Sequence, residues 1–180
     1  MASRSNTSPL CPDGRLSSPA SRRHGRMVVN LENYIPYYLV SVNNALSRGA
    51  SRQYLARFGV GIVEWRVISM LAIEPDIPAA RVCEVVALDK AATSRALQRL
   101  NKLGYTQFEA RERDPRAKTW RLSEAGLGLH DQLLTAALAR EQRLIQDIEP
   151  EKLEVFLEVI RAMHHNLDVH FEDRAAVADD

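Results

Sequence analysis

From residue 30 onward, apolar side chains recur at spacings of three and four: Leu31, Tyr34, Ile35, Tyr38, Leu39, Val42 and Leu46. That period predicts an amphipathic helix over about 30–47, resuming through Arg57 after a bend at Gly49. Gly59 to Gly61 interrupt the pattern, and Val63 to Glu74 read as a second helix closed by Pro75 and Pro78. Ala79 to Ala87 predict a short third helix with Val82, Val85 and Val86 inward. Leu88 closes a turn, Asp89 is a good N-cap for a fourth helix running to Leu103, and Gly104 stops it. Tyr105–Ala110 and Lys118–Leu122 read as two strands around a charged turn, Arg111–Ala117. Ser123 caps a long helix to about Asp147, and Pro150 opens a last one with Leu153, Phe156, Leu157, Ile160 and Leu167 on its apolar face. The expected class is mainly α with a small β-hairpin.

The first 26 residues are rich in Ser, Pro and Arg and poor in large apolar groups, so a disordered tail is expected there. Its arginines (Arg4, Arg15, Arg22, Arg23 and Arg26) are able to brush DNA phosphates, but a solvated leader is the simpler reading. No apolar run approaches a membrane helix, and the tail lacks the hydrophobic core of a signal peptide. With two cysteines, Cys11 and Cys83, the first of them in the tail, a structural disulfide is not expected and a cytoplasmic location is. A phosphate-cradling Gly loop, a nucleophile elbow and a zinc motif are all missing, so neither an enzyme nor a cofactor is expected. His164 and His165 are adjacent and point about 100° apart on a helix, so no metal site is expected.

Charge changes the picture locally. The chain has a net charge of +1, yet Arg81 to Arg121 holds ten basic and five acidic residues. A basic segment in a near-neutral protein suits a phosphate-binding surface. On the fourth helix, Thr93, Ala96, Leu97, Leu100 and Leu103 form the inward stripe, while Ala91, Ser94, Arg95, Gln98 and Lys102 form the outward one. Its leading outward surface is slim, as entry into a major groove requires, and Arg95 has the fork that matches guanine. Ser94 and Lys90 have donors for bases or phosphates, and Ala91 suits a thymine methyl. Helix, tight turn, polar-faced helix and basic hairpin follow one another in the order of a winged helix-turn-helix. Arg116 is expected at the hairpin tip, suited to a narrow minor groove and oriented by Asp114.

Asp114-Pro115-Arg116, followed by Leu122-Ser123-Glu124-Ala125-Gly126, resembles the wing signature of the MarR (multiple antibiotic resistance regulator) family of bacterial winged-helix repressors. Leu88 to Leu100 resembles its recognition segment, and Glu64-Trp65-Arg66-Val67 a helix-two start found in one branch. The resemblance implies a dimer built from the first and the two last helices, groove contacts from Lys90, Ser94 and Arg95, and Arg116 with Asp114 at the wing tip. Ala91 and Ala92 depart from the Ser or Thr common there, which leaves the base readout open. The candidate DNA-binding set is Lys90, Ala91, Thr93, Ser94, Arg95, Gln98, Arg99, Arg113, Asp114, Arg116 and Lys118. The expected organisation is a tail over 1–26, a dimerisation helix over 27–58, a DNA-binding lobe over 59–126, and dimerisation helices with a short acidic tail over 127–180.

Expected partners are a pseudo-palindromic duplex, a second copy of the chain and a small aromatic acid or phenol, with localisation at the nucleoid. The candidate effector residues are Tyr34, Tyr38, Trp65 and Arg66, three aromatic walls and a cation for a carboxylate. The same residues also read as structural, with the tyrosines in packing, Trp65 between lobes and Arg66 paired with an acid. Two alternatives stay open: an oxidant-responsive repressor using Cys83, and a winged-helix interaction protein without specific DNA binding.

Overall fold

A computed structural model describes residues 15–86, 88–111 and 114–177. The elements run β1 (Ala20–Arg23), β2 (Arg26–Val29), α1 (Ile35–Phe58), α2 (Ile62–Ile73), β3 (Ile77–Pro78), α3 (Ala79–Val86), α4 (Lys90–Lys102), β4 (Thr106–Arg111), β5 (Asp114–Leu122), α5 (Glu124–Leu144) and α6 (Pro150–Val177). The chain divides into two compact units, residues 1–130 and 131–180, with the boundary inside α5.

Part of the expected tail is ordered. β1 and β2 form an antiparallel hairpin, so the predicted disorder over 15–26 is corrected from Ala20 onward. Four-residue strands with an Arg-rich sequence carry almost no apolar alternation, which is why the pattern hid them. Residues 1–14, with Arg4 and Cys11, lie outside the described residues.

α1 starts later than expected, at Ile35, with Pro36 in its first turn where a missing N–H costs nothing. It runs through Gly49 without ending, because a glycine inside a helix costs only about 1 kcal/mol. Gly59 terminates it at φ 71°, donating its N–H to the Leu55 carbonyl at 3.1 Å.

The core of the first unit is built by α2, α4 and the sheet. Val60, Val67, Ile68, Met70, Leu71, Val82, Ala96, Leu97, Leu100, Trp120 and Leu122 are buried. The sheet order is β3-β5-β4, all antiparallel, with Ile77 opposite Trp120 and Phe108 opposite Trp120 on the other side. β3 has only two residues, one of them proline, and gave no strand pattern. Two inward assignments are corrected: Val85 is 48% exposed and Leu103 is 49% exposed. Each lies at the end of its helix, where the neighbouring layer stops.

α5 enters through a close approach that its sequence anticipates. Ser123 Oγ accepts the Gly126 N–H at 3.1 Å and donates to the Gly104 carbonyl at 2.6 Å, while the Ser123 N–H bonds the Tyr105 carbonyl at 3.0 Å. A Cβ on Gly126 would sit 2.0 Å from that Tyr105 oxygen. Only glycine lets the first turn of α5 lie against the start of β4. In the second unit, α6 opens at Pro150 as expected, and Phe156, Leu157 and Leu167 stand exposed on it.

Candidate nucleic-acid interface

Asp89 caps α4 as its sequence position requires, accepting the Ala92 N–H at 2.7 Å. The helix then turns Thr93, Ala96, Leu97 and Leu100 into the core and leaves Lys90, Ala91, Ser94, Arg95, Gln98 and Lys102 exposed. Among the described residues, Lys90, Arg95 and Lys102 carry no ion pair. Gln98 reaches back to Ser94 Oγ at 3.4 Å, which aligns two polar side chains on consecutive turns.

Two members of the candidate set are engaged within the lobe. Thr93 is 0% exposed, and its Oγ1 is buried without a hydrogen-bond partner among the described residues, so it cannot meet a ligand outside the lobe. Arg99 is a structural clamp: its Nη1 pairs with Glu64 Oε1 at 2.9 Å and its Nη2 donates to the Gly59 carbonyl at 3.0 Å. Glu64 also accepts the Gly61 N–H at 3.0 Å, so one carboxylate caps α2 and anchors α4.

The basic segment contains other cations that serve the fold. Arg81 is held by Glu74 through two bonds of 2.9 and 3.0 Å and by Glu84 at 3.2 Å. The hydrogen bond from Arg81 keeps the Glu74 carboxyl below its ordinary value, and Glu74 and Glu84 push the Arg81 guanidinium further up. Arg121 bridges Glu109 and Asp76, the latter at 2.9 Å, and its guanidinium is raised by Glu109 first and Asp76 second. This links the turn before β3 to the outer face of the wing. Charge counting along the chain could not separate these cations from the free ones, because their partners lie up to 45 residues away.

The wing is the β4–β5 hairpin. Arg111 pairs with Asp114 after an irregularity at Ala110/Arg111. Arg116 lies on β5 two residues from the start of that strand, within the stretch where the register shifts. Arg113 lies outside the described residues, as do the side chains of Asp114 and Arg116 and with them the expected contact between those two. Lys118 lies on the inner face, its ammonium 4.1 Å from the centre of the Phe108 ring. A groove of about 830 Å³ separates the wing from α4, lined by Ser94, Gln98, Lys102, Phe108, Lys118 and Trp120 among others.

The expected effector residues are not brought together within one chain. Trp65 stacks on His130 at 5.8 Å and meets the Tyr54 ring edge-on at 6.2 Å. Tyr34 and Tyr38 precede Tyr54 by 20 and 16 residues on the α1 side, roughly 30 and 24 Å along a helix axis. Both are exposed, at 37% and 50%. Periodicity places residues on a face, but only the unbroken course of α1 through Gly49 shows how far apart along it they lie. Cys83 is a free, half-buried thiol, and no metal-ligating cluster occurs among the described residues.

Residues 58–117, from the end of α1 to the wing, match the sequence model of the MarR family. Over that segment the chain is similar to the MarR family. Solved structures of the family share its fold. The MarR/EmrR family transcriptional regulator from Acinetobacter sp. ADP1 is 26% identical, with a TM-score of 0.71 over 78% of this chain and 99% of that one. PcaV of Streptomyces coelicolor, solved in complex with its natural ligand, is 20% identical, with a TM-score of 0.66 over 77% and 96% of the two chains. FabT of Streptococcus pneumoniae, solved in complex with DNA, is 20% identical, with a TM-score of 0.63 over 76% and 97%. No curated protein matches the chain in sequence. Among the described residues, no helix is long and apolar enough to cross a membrane.

Proposed function

We propose that this chain is a DNA-binding transcriptional regulator acting as a homodimeric repressor that a small aromatic acid releases. The observation that carries the reading is the split of α4 into a fully packed face and an exposed face whose cations have no ion pairs among the described residues. Lys90 takes a phosphate near the helix start, Arg95 and Ser94 read base edges, and the wing reaches the adjacent minor groove through Arg116. Two copies place their α4 helices about 34 Å apart, one turn of duplex, and so read a pseudo-palindrome.

Repression is steric, and an effector releases the duplex by favouring a different spacing in proportion to its differential affinity for the two arrangements. A site using Tyr34 and Tyr38 together with Trp65 and Arg66 needs the tyrosines of a second copy. Within one chain, the groove beside α4 has what an aromatic anion requires, with Phe108 and Trp120 as walls and Lys102 and Lys118 as cations.

Selection of binding sites from random duplexes tests the reading. Enrichment of one pseudo-palindrome is expected, with transcription from a promoter carrying it falling on addition of protein and recovering with an aromatic acid. Arg95→Ala should cost about 1–3 kcal/mol on the selected site and relax one base position per half-site. General, salt-sensitive binding without enrichment would overturn the regulator reading.

A further inference from the structure

The N-terminal hairpin has no part in the function described so far, and its chemistry is one-sided. From Arg15 to Leu31 the chain has four arginines and no Asp or Glu. β1 and β2 join through His24 and Gly25, at φ 49° and 75°, the paired left-handed residues of a tight two-residue turn. The base is tied down: the Asn30 N–H bonds the Pro19 carbonyl at 2.8 Å, and Arg15 donates to the Asn33 carbonyl.

The register sets Arg23 directly opposite Arg26, and Arg22 opposite Met27. Paired residues share a face, so Arg23 and Arg26 stand side by side on one face of the tip and Arg22 on the other. Like charges placed opposite one another destabilise a ladder. All three arginines are exposed, and none has an ion pair among the described residues. Glu32 lines a shallow hollow with Arg22, Arg23 and His24 without pairing with them.

We propose that the β1–β2 hairpin is a second duplex-DNA contact, gripping backbone phosphates outside the segment met by α4 and the wing. The proposal rests on the DNA-binding reading above. Cations on both faces of a narrow two-stranded tip suit a groove walled by phosphates on both sides, and a β-ribbon is slim enough to enter one. A flat anionic surface would instead be met by cations gathered on one face. An anionic partner also relieves the Arg23–Arg26 repulsion, which nothing in the hairpin itself offsets. The 24 residues of α1, about 36 Å of helix, separate the hairpin from the lobe. Phosphates met by the hairpin would therefore lie outside the segment met by α4 and the wing, at a distance comparable with the roughly 34 Å of one duplex turn.

The test uses the full chain, a variant carrying Arg22→Gln, Arg23→Gln and Arg26→Gln, and the same three positions changed to Lys. Each is titrated over a salt series onto the selected site alone and onto that site with about ten further base pairs on either side, one duplex turn. The unsubstituted chain should bind the longer duplex more tightly and with a steeper salt dependence. The Gln variant should bind both duplexes alike, with a slope on the longer one shallower by about 0.9 for each phosphate that the hairpin no longer neutralises. Its thermal melting and base preference should be unchanged, and the Lys variant should keep the advantage. A Gln variant that retains the long-duplex advantage, or an unsubstituted chain that shows none, overturns the proposal while core binding stands. Binding to no duplex at all overturns the DNA reading and this proposal with it. Arginine-dependent uptake by phosphatidylserine vesicles, without a long-duplex advantage, reassigns the hairpin to a membrane and overturns it.

Discussion

The lobe over 59–126 and the helix before it spend their apolar residues in opposite ways. The lobe buries Val67, Ile68, Leu71, Leu97 and Leu100 almost completely. α1 buries only Ala50 and Tyr54 and leaves Ile35, Tyr38, Leu39, Val42 and Leu46 at 37% exposure or more. α6, by itself, exposes Val155, Phe156, Leu157, Val159 and Leu167. The lobe is thus complete within one chain. An apolar surface as long as that of α1 marks a place where another molecule belongs, and the proposed dimer supplies one. The core of the lobe packs α4 against α2 and α3 and against the start of the wing.

The sharpest way to break this contrast is to remove a core side chain. Leu100→Ala should destabilise the lobe by about 2–5 kcal/mol, read as a drop in thermal or denaturant midpoint. A small drop would mean that the lobe is not a close-packed unit. Gly126→Ala should follow, at roughly 1–3 kcal/mol or more, because a Cβ there meets the Tyr105 carbonyl at 2.0 Å. A Ser123→Ala control should weaken the same junction without the clash. On the other side of the contrast, Leu39→Ala should cost no more than about 2 kcal/mol and only through association. Its melting midpoint should approach that of the parent chain as protein is diluted, whereas a cost independent of concentration would place Leu39 in a monomer core. The smallest effect concerns acid. Glu74 has a lowered folded-state pKa, so its pairing with Arg81 stabilises the lobe above the ordinary carboxylate range and is lost as pH falls through and below that range. Glu74→Gln should remove that part of the acid dependence, and an unchanged pH profile would mean that the pair carries no net stabilisation.

Much of the interface was legible along the chain because it depends on local rules. The Asp89 cap, the two faces of α4, the Gly104 stop and the Ser123–Gly126 entry to α5 each follow from residues within one or two helical turns. Thr93 and Arg99 show where that logic ends. Both occupy positions on a helix that also carries groove-facing residues, but one is swallowed by the core and the other is captured by Glu64, 35 residues earlier. Tyr34 and Tyr38 stand apart from Trp65 within one chain for a similar reason, since residues on one amphipathic face can lie some 24–30 Å apart along it.

By itself, the sequence determined the order of helices, the hairpin after α4 and the caps, all of which rest on periodicity and on short-range turn chemistry. The tertiary structure decided which arginines are free. Arg81, Arg99 and Arg121 are held by carboxylates from other elements, while Arg95 is left exposed on α4 and Arg22, Arg23 and Arg26 on an ordered hairpin. An ion pair depends on distance in space, and the fold alone brings residues distant in sequence to within about 3 Å of each other.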